Sequence, residues 1–86
     1  METPDADSSL TRVLADVHET QKVRVRAVLG GWGIRQRLQQ VGLHVGEEVV
    51  VKRSAAFGGP LLLLVHGSEI ALGRRMAKHV LVEALP

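Results

Sequence analysis

Hydrophobic and polar residues alternate along two stretches of the chain, which is the pattern of β-strands that bury one face. Within residues 23–29, positions 23, 25, 27 and 29 are apolar and share one face, and Arg24 and Arg26 lie on the other. Residues 48–54 repeat the alternation, and Val49 and Val51 are expected to face the core. Both stretches therefore predict strands of a sheet with one solvated face.

Three shorter strands are expected in the second half of the chain, at residues 61–66, 69–72 and 80–83. Residues 55–60 are expected to form a loop, because two glycines and a proline cannot continue the interior of a β-ladder. Gly67 and Ser68 are expected to form the two-residue connection of a tight hairpin. Residues 73–79 are expected to form a short helical turn before the last strand.

Helical spacing follows the first strand. Ile34, Leu38 and Val41 succeed each other at intervals of four and three residues, which predicts an amphipathic helix. Gly42 can end this helix because glycine adopts the left-handed conformation without a steric penalty. Leu43 would then fold back onto the apolar side of the helix.

A short helix is also expected near the N-terminus, where Ser9 can serve as N-cap and four apolar residues follow at helical spacing. Residues 1–9 are polar, acidic and interrupted by a proline, which predicts a flexible tail. The remaining residues, 10–86, are expected to form one domain.

The predicted fold class is mainly β. Five short strands with tight turns and one or two brief helices favour a small, strongly bent barrel, because closing a sheet removes its unpaired edges. The chain has 86 residues, which is enough for one small domain. Its composition is 45% hydrophobic and 23% charged, so we expect a packed core rather than a disordered chain.

The chain contains no cysteine, which excludes disulfide scaffolds, thiolate metal sites and thiol nucleophiles. Its first residues are acidic, whereas a secretory signal needs basic residues and then an apolar stretch. The longest apolar run, residues 61–65, is far shorter than the roughly 20 residues that span a bilayer. We therefore expect a cytoplasmic protein that does not insert directly into a membrane.

Catalysis is not predicted. Beyond residue 22 the only serines are Ser54 and Ser68, and both fall in expected turns. Gly30, Gly31 and Gly33 lack the spacing of a dinucleotide-binding or phosphate-binding loop. The sequence therefore favours a binding module over an enzyme.

Metal binding stays open at one position. Four histidines without cysteine leave imidazole and carboxylate ligands, which suit zinc, iron or manganese. None of them has a spacing that fixes a site, such as H-E-x-x-H. His66 and Glu69 are the strongest pair, because they flank the predicted hairpin turn. No cofactor is required, and a weakly bound divalent ion, Fe²⁺ or Zn²⁺, is the open alternative there.

The apolar residues indicate a protein partner, whereas the charge alone favours a solvated surface that keeps a small domain soluble. From residue 23 onward, nine basic residues stand against four acidic ones, a balance that suits an acidic partner surface. Trp32 and Phe57 are the only aromatic residues, so we do not expect a module that stacks nucleic-acid bases. The apolar residues, among them Leu43 and Val45, exceed what a small barrel buries on its inner face, which indicates a docking patch.

Several short motifs, in their order and spacing, resemble the FeoA family of ferrous iron transport proteins. The resemblance covers residues 14–83. The segments that carry it are I-R-Q-R-L-Q-Q-V-G-L-H-V-G at 34–46, V-x-V at 49–51, F-G-G-P-L at 57–61, I-A-L-G-R at 70–74 and V-L-V at 80–82.

The resemblance implies an SH3-like β-barrel and a cytoplasmic accessory protein of ferrous iron uptake. Such a protein docks on the cytosolic, GTP-binding part of the membrane permease FeoB. The family-patterned positions assigned to partner binding are Arg35, Arg37, Leu43, Phe57, Gly58, Gly59 and Pro60. Leu43 has a second interpretation as a cap residue, in which case the fold itself depends on it.

The same domain type also forms the C-terminal part of iron-dependent repressors. The alternative function is therefore a metal-responsive regulatory module of that kind. Self-association of the chain stays open, and nucleic acid is not expected as a partner.

Overall fold

The computed structural model describes residues 11–55 and 57–86. The predicted tail, residues 1–9, lies outside the described residues, and so do the first positions of the predicted N-terminal helix. The described elements are β1 (Thr11–Val13), a 3-10 turn (Leu14–Asp16), β2 (Lys22–Val28), α1 (Trp32–Gln40), β3 (Glu48–Ser54), β4 (Leu61–Val65), β5 (Ser68–Leu72), α2 (Arg74–Ala77) and β6 (Val80–Ala84).

The strands form one antiparallel sheet in the order β1-β6-β2-β3-β4-β5. The mainly β class and the small, bent architecture are confirmed, with six strands in place of the expected five. Among the described residues, no ladder joins β1 to β5, so these two strands are the edges of the sheet.

The predicted N-terminal helix is wrong. Thr11–Val13 is a strand that pairs with β6, and only Leu14–Asp16 turns, as a 3-10 helix. Thr11 and Val13 are β-branched, and such residues prefer strands to helices. Leu14 and Val17 are nevertheless buried, so the spacing correctly identified core residues while their backbone conformation depends on β6.

β2 and β3 bury the valines that alternation selects, whereas Ala27, beyond the bulge in β2, is half-buried and Leu29, beyond the end of β2, is 46% exposed. Val23, Val25, Val49 and Val51 are each 0–1% exposed, and β3 has the bounds predicted from the sequence. Each strand is interrupted by a bulge, between Val25 and Ala27 in β2 and between Val51 and Arg53 in β3. Bulges increase local twist and bend a strand, which allows so short a sheet to curl around its core.

α1 starts two residues earlier than predicted and ends as predicted. Gly42 has a φ of 92° and donates its amide to Gln39, while the amide of Leu43 donates to the carbonyl of Leu38 at 3.0 Å. This pair of hydrogen bonds is the Schellman motif, which needs a left-handed residue after the helix. Leu38 and Leu43 are both buried, so the cap anchors the helix to the core.

The hairpin between β4 and β5 turns one residue earlier than expected. Val65 pairs with Ser68, so the two turn residues are His66 and Gly67 rather than Gly67 and Ser68. Their φ values are 54° and 78°, as a type I′ turn requires at both positions. Histidine tolerates the left-handed region better than most residues, and the sequence alone gave no reason to place it there.

Candidate functional site

A shallow groove runs along the exposed side of α1. One part has a volume of about 190 Å³ and is lined by Val28, Arg35, Gln39, Leu43, His44 and Val45. The adjoining part has a volume of about 330 Å³ and is lined by Gly30, Trp32, Arg35, Gln36 and Gln39. Arg35 and Gln39 belong to both parts, so we treat the two as one surface and call it the α1 groove.

Exposed apolar side chains stand at the two ends of the α1 groove. Trp32 is 77% exposed at one end and Val45 is 66% exposed at the other. Leu29, just before Gly30, is 46% exposed. Arg35 lies between Trp32 and Val45, and tryptophan and arginine are the residues that most often dominate protein interfaces.

The α1 groove is positively charged. Arg35 lines both parts of the groove, whereas Arg37 lines neither; both are exposed, and within the described part of the chain neither forms an ion pair. α1 itself contains no acidic residue. By contrast, the outward-facing arginines of β2, Arg24 and Arg26, are neutralised by Glu48 and Glu83, respectively. Of the arginines on β2 and α1, those without an ion pair among the described residues are therefore the two on α1.

Leu43 does not belong to the surface. It is 1% exposed and forms the floor of the α1 groove while capping the helix. Its assignment as a partner-contacting residue is corrected on this ground, and its interpretation as a cap residue is the one that the structure supports. A partner in the α1 groove would meet the neighbouring Val45 instead.

The loop that holds Phe57, Gly58, Gly59 and Pro60 lies apart from α1. α1 leads into β3 at Glu48, whereas the loop follows Ser54 at the other end of that strand. Seven residues of β-strand span about 20 Å. Phe57 is fully exposed with a φ of 59°, so it offers an apolar contact of its own, but a single patch with α1 would have to extend along all of β3.

His66 and Glu69, the candidate metal ligands, each contact a different residue and not one another. His66 Nε2 lies 2.6 Å from Glu47 Oε1, whereas Glu69 Oε2 accepts a hydrogen bond of 2.6 Å from Lys52 Nζ. His66 is a turn residue and does not flank the turn, so the hairpin does not hold the two side chains as a pair. In residues 11–55 and 57–86, no three histidine, aspartate or glutamate side chains come together as a metal site would need.

Lys52 lowers the pKa of Glu69 from its ordinary value through their hydrogen bond and through its positive charge. A carboxylate with a lowered pKa stabilises the fold above the ordinary pKa, and this contribution is lost as the pH falls through the lowered value.

Replacing Lys52 with methionine is expected to raise the pKa of Glu69 toward the ordinary glutamate value. An NMR titration of the Glu69 carboxyl carbon measures it, with Lys78→Met as control; identical curves for Lys52→Met and wild type would contradict the assignment.

The sequence model of the FeoA domain family matches residues 12–84 of this chain, which are nearly all of the fold described above. The chain belongs to the FeoA domain family. A protein of Methanocaldococcus jannaschii, provisionally named Fe(2+) transport protein A, is 36% identical over 70 residues, which are 81% of this chain and 83% of that protein.

Solved structures agree with the assignment. A crystal structure of an iron uptake regulatory protein, FeoA, superposes with a TM-score of 0.83 at 32% identity and covers 87% of this chain and 99% of its own. The SH3-like fold predicted from the resemblance is thereby confirmed.

A manganese-dependent transcriptional repressor has the same fold over part of its length. It superposes with a TM-score of 0.80 at 16% identity, and the match covers 87% of this chain but 42% of the repressor. At this identity the likeness concerns the fold alone.

No helix in the described residues of the FeoA-family chain is long and apolar enough to cross a membrane.

Sequence reasoning missed Trp32, Gln39 and His44 as parts of the site. Trp32 lies outside the apolar series that defines the buried face of α1, between two glycines. A large apolar residue outside the helical period is a usable signal of exposure, and it could have indicated this position. Gln39 and His44 carry no such signal, because only the folding of the chain brings them beside Val28.

Proposed function

We propose that the chain is a cytoplasmic accessory protein of ferrous iron uptake that docks on the cytosolic, GTP-binding part of a FeoB-type permease. Membership of the FeoA domain family and the name of the Methanocaldococcus relative support the link to ferrous iron. The protein acts by binding, and no catalytic step is assigned to it.

The docking surface is the α1 groove. The observation that supports it is the placement of exposed Trp32 and Val45 on either side of Arg35, which forms no ion pair with any residue that the structure describes. A stable interface needs about 800 Å² from each partner, so the contact extends beyond the groove onto the surrounding face. The positive charge of α1 favours an acidic surface on the permease and accelerates encounter at low salt.

A binding titration with the isolated cytosolic domain of the permease tests the proposal, with and without nucleotide and ferrous iron. Wild type is expected to bind, and Trp32→Ala is expected to weaken binding by about tenfold, or about 1.4 kcal/mol, since truncated tryptophan anchors are among the costliest losses at protein interfaces. Phe57→Ala is the matched control, because it removes the other exposed aromatic ring, which follows the far end of β3.

The outcomes separate the function from its location. Loss of binding in Phe57→Ala with full binding in Trp32→Ala would move the site to the loop. Absence of binding by wild type in every nucleotide state would contradict the function. Tight, stoichiometric binding of a divalent metal by the isolated chain would instead favour the regulatory module.

A further inference from the structure

β5 is an open edge of the sheet in the described part of the chain. It pairs with β4 on one side, and neither a ladder nor a turn hydrogen bond occupies its other side. Ser68, Glu69 and Ala71 are exposed. An edge strand of this kind presents unused backbone donors and acceptors to any strand that can pair with it.

The tight turn determines which backbone groups are free. A two-residue turn makes its flanking residues, Val65 and Ser68, a hydrogen-bonded pair, and hydrogen-bonded and non-hydrogen-bonded pairs then alternate along the ladder. Ile70 and Leu72 therefore bond to β4 as Ser68 does. The amide and carbonyl groups of Glu69 and Ala71 point away from β4, toward the open side.

The one charged side chain of β5 does not protect this edge. Glu69 reaches back across β4 to Lys52 on β3, with 2.6 Å between its Oε2 and Lys52 Nζ. Its lowered pKa is consistent with a carboxylate held by that lysine. Charged residues normally guard edge strands by projecting over them, whereas this carboxylate is drawn toward the middle of the sheet.

We propose that β5 is an interface between two copies of this chain, which pair antiparallel about a twofold axis at Ile70. In this register Glu69 of each copy lies opposite Ala71 of the other. Both of these pairs are of the hydrogen-bonded type, so the free groups of the two strands form four hydrogen bonds with one another. The contact is self-complementary, as a twofold interface must be.

Two neighbouring registers are less favourable. An axis at Glu69 places the two Glu69 carboxylates directly opposite each other, and like charges in that position are destabilising. An axis at Ala71 places Glu69 opposite Gly73, which lies beyond the end of β5, and so loses the second hydrogen-bonded pair. The register at Ile70 pairs every outward amide and carbonyl group of Glu69 and Ala71. It places the two Glu69 carboxylates diagonally across the interface and not directly opposite each other.

The dimer is expected to be weak and concentration-dependent. Pairing of two five-residue edges buries less than the roughly 1,200 Å² that marks the lower end of stable interfaces. It uses no residue of the α1 groove, so it is compatible with the proposed docking on the permease. Failure of one proposal leaves the other intact.

Amide hydrogen exchange by NMR on the wild-type chain at low and high protein concentration tests the pairing. The amides of Ser68, Ile70 and Leu72 are expected to be protected at both concentrations, because they bond to β4. The amides of Glu69 and Ala71 are expected to exchange fast when dilute and at least several-fold more slowly when concentrated. Equal exchange of these two amides at both concentrations would overturn the proposal.

Ala71→Pro provides a second measurement by sedimentation velocity. Proline removes the outward amide of Ala71 without touching the ladder to β4, and prolines are tolerated on edge strands. The variant is expected to sediment as a monomer at concentrations at which wild type and Ala71→Ser self-associate. If wild type associates while the amides of Glu69 and Ala71 stay unprotected, the interface lies elsewhere and the proposal fails. The exchange result on wild type decides the matter if the proline variant does not fold.

Discussion

Replacing Leu43 with alanine is expected to lower the free energy of unfolding by about 2 to 5 kcal/mol, the range for removing a buried leucine side chain. Leu43 is 1% exposed and packs in the core. The loss combines the transfer free energy of the removed atoms with the cavity that they leave. It also removes the apolar contact that accompanies the cap of α1. Urea denaturation followed by circular dichroism measures the change.

Val45→Ala is the matched control for this prediction. Val45 lies two residues away and is 66% exposed, so its truncation is expected to change stability by no more than about 0.5 kcal/mol. The same variant would still weaken docking on the permease, because Val45 stands at one end of the α1 groove. A stability loss in Val45→Ala equal to that in Leu43→Ala would contradict the placement of the two residues.

Replacing Arg74 with methionine is expected to lower the free energy of unfolding by about 2 to 3 kcal/mol, because hydrogen bonds to a charged donor contribute about 1.5 to 3 kcal/mol. The half-buried guanidinium donates to the carbonyls of Ala15 and Ala55 and to the hydroxyl of Ser54, at 2.9 to 3.0 Å. It joins three segments distant in sequence: the N-terminal 3-10 turn, the end of β3 and α2. Its buried Nε has no partner among the described residues, which lowers the net contribution.

Arg75→Met is the control, since Arg75 is the exposed neighbour on the same helix. Arg74→Lys retains the positive charge but lacks the planar, branched guanidinium that donates to three acceptors. It is therefore expected to recover only part of the stability. Thermal unfolding ranks the three variants, and amide chemical shifts of Ser54 and Ala55 report whether the base of the Phe57 loop has moved. Equal melting temperatures for Arg74→Met and Arg75→Met would refute the role.

The elements that sequence reasoning predicted correctly are those that local chemistry determines. The bounds of β3 follow from alternation around Val49 and Val51, and the end of α1 follows from Gly42, whose φ of 92° excludes most other residues. Each of these signals lies within a few residues of the element that it defines. The resemblance to the FeoA family added the SH3-like topology, which alternation alone does not specify.

The elements that were missed depend on distant residues. β1 is a strand because β6 is available to pair with it, and the two segments lie near opposite ends of the chain. The α1 groove joins Val28, Arg35 and Val45, which the Schellman cap and the turn before β3 bring together. Glu69 took Lys52 as its partner across β4, whereas proximity in sequence had favoured His66.

The position of β6 between β1 and β2 has a consequence for biosynthesis. Among the described strands, Val80–Ala84 leaves the ribosome last, and both of its neighbours are made long before it. Until it emerges, the nascent chain holds two strands without their common partner, and partly paired strands are prone to aggregate. The sheet is therefore completed only after nearly all of the FeoA domain has been synthesised, and a product that lacks β6 would expose the edge of β2 to chaperones and proteases.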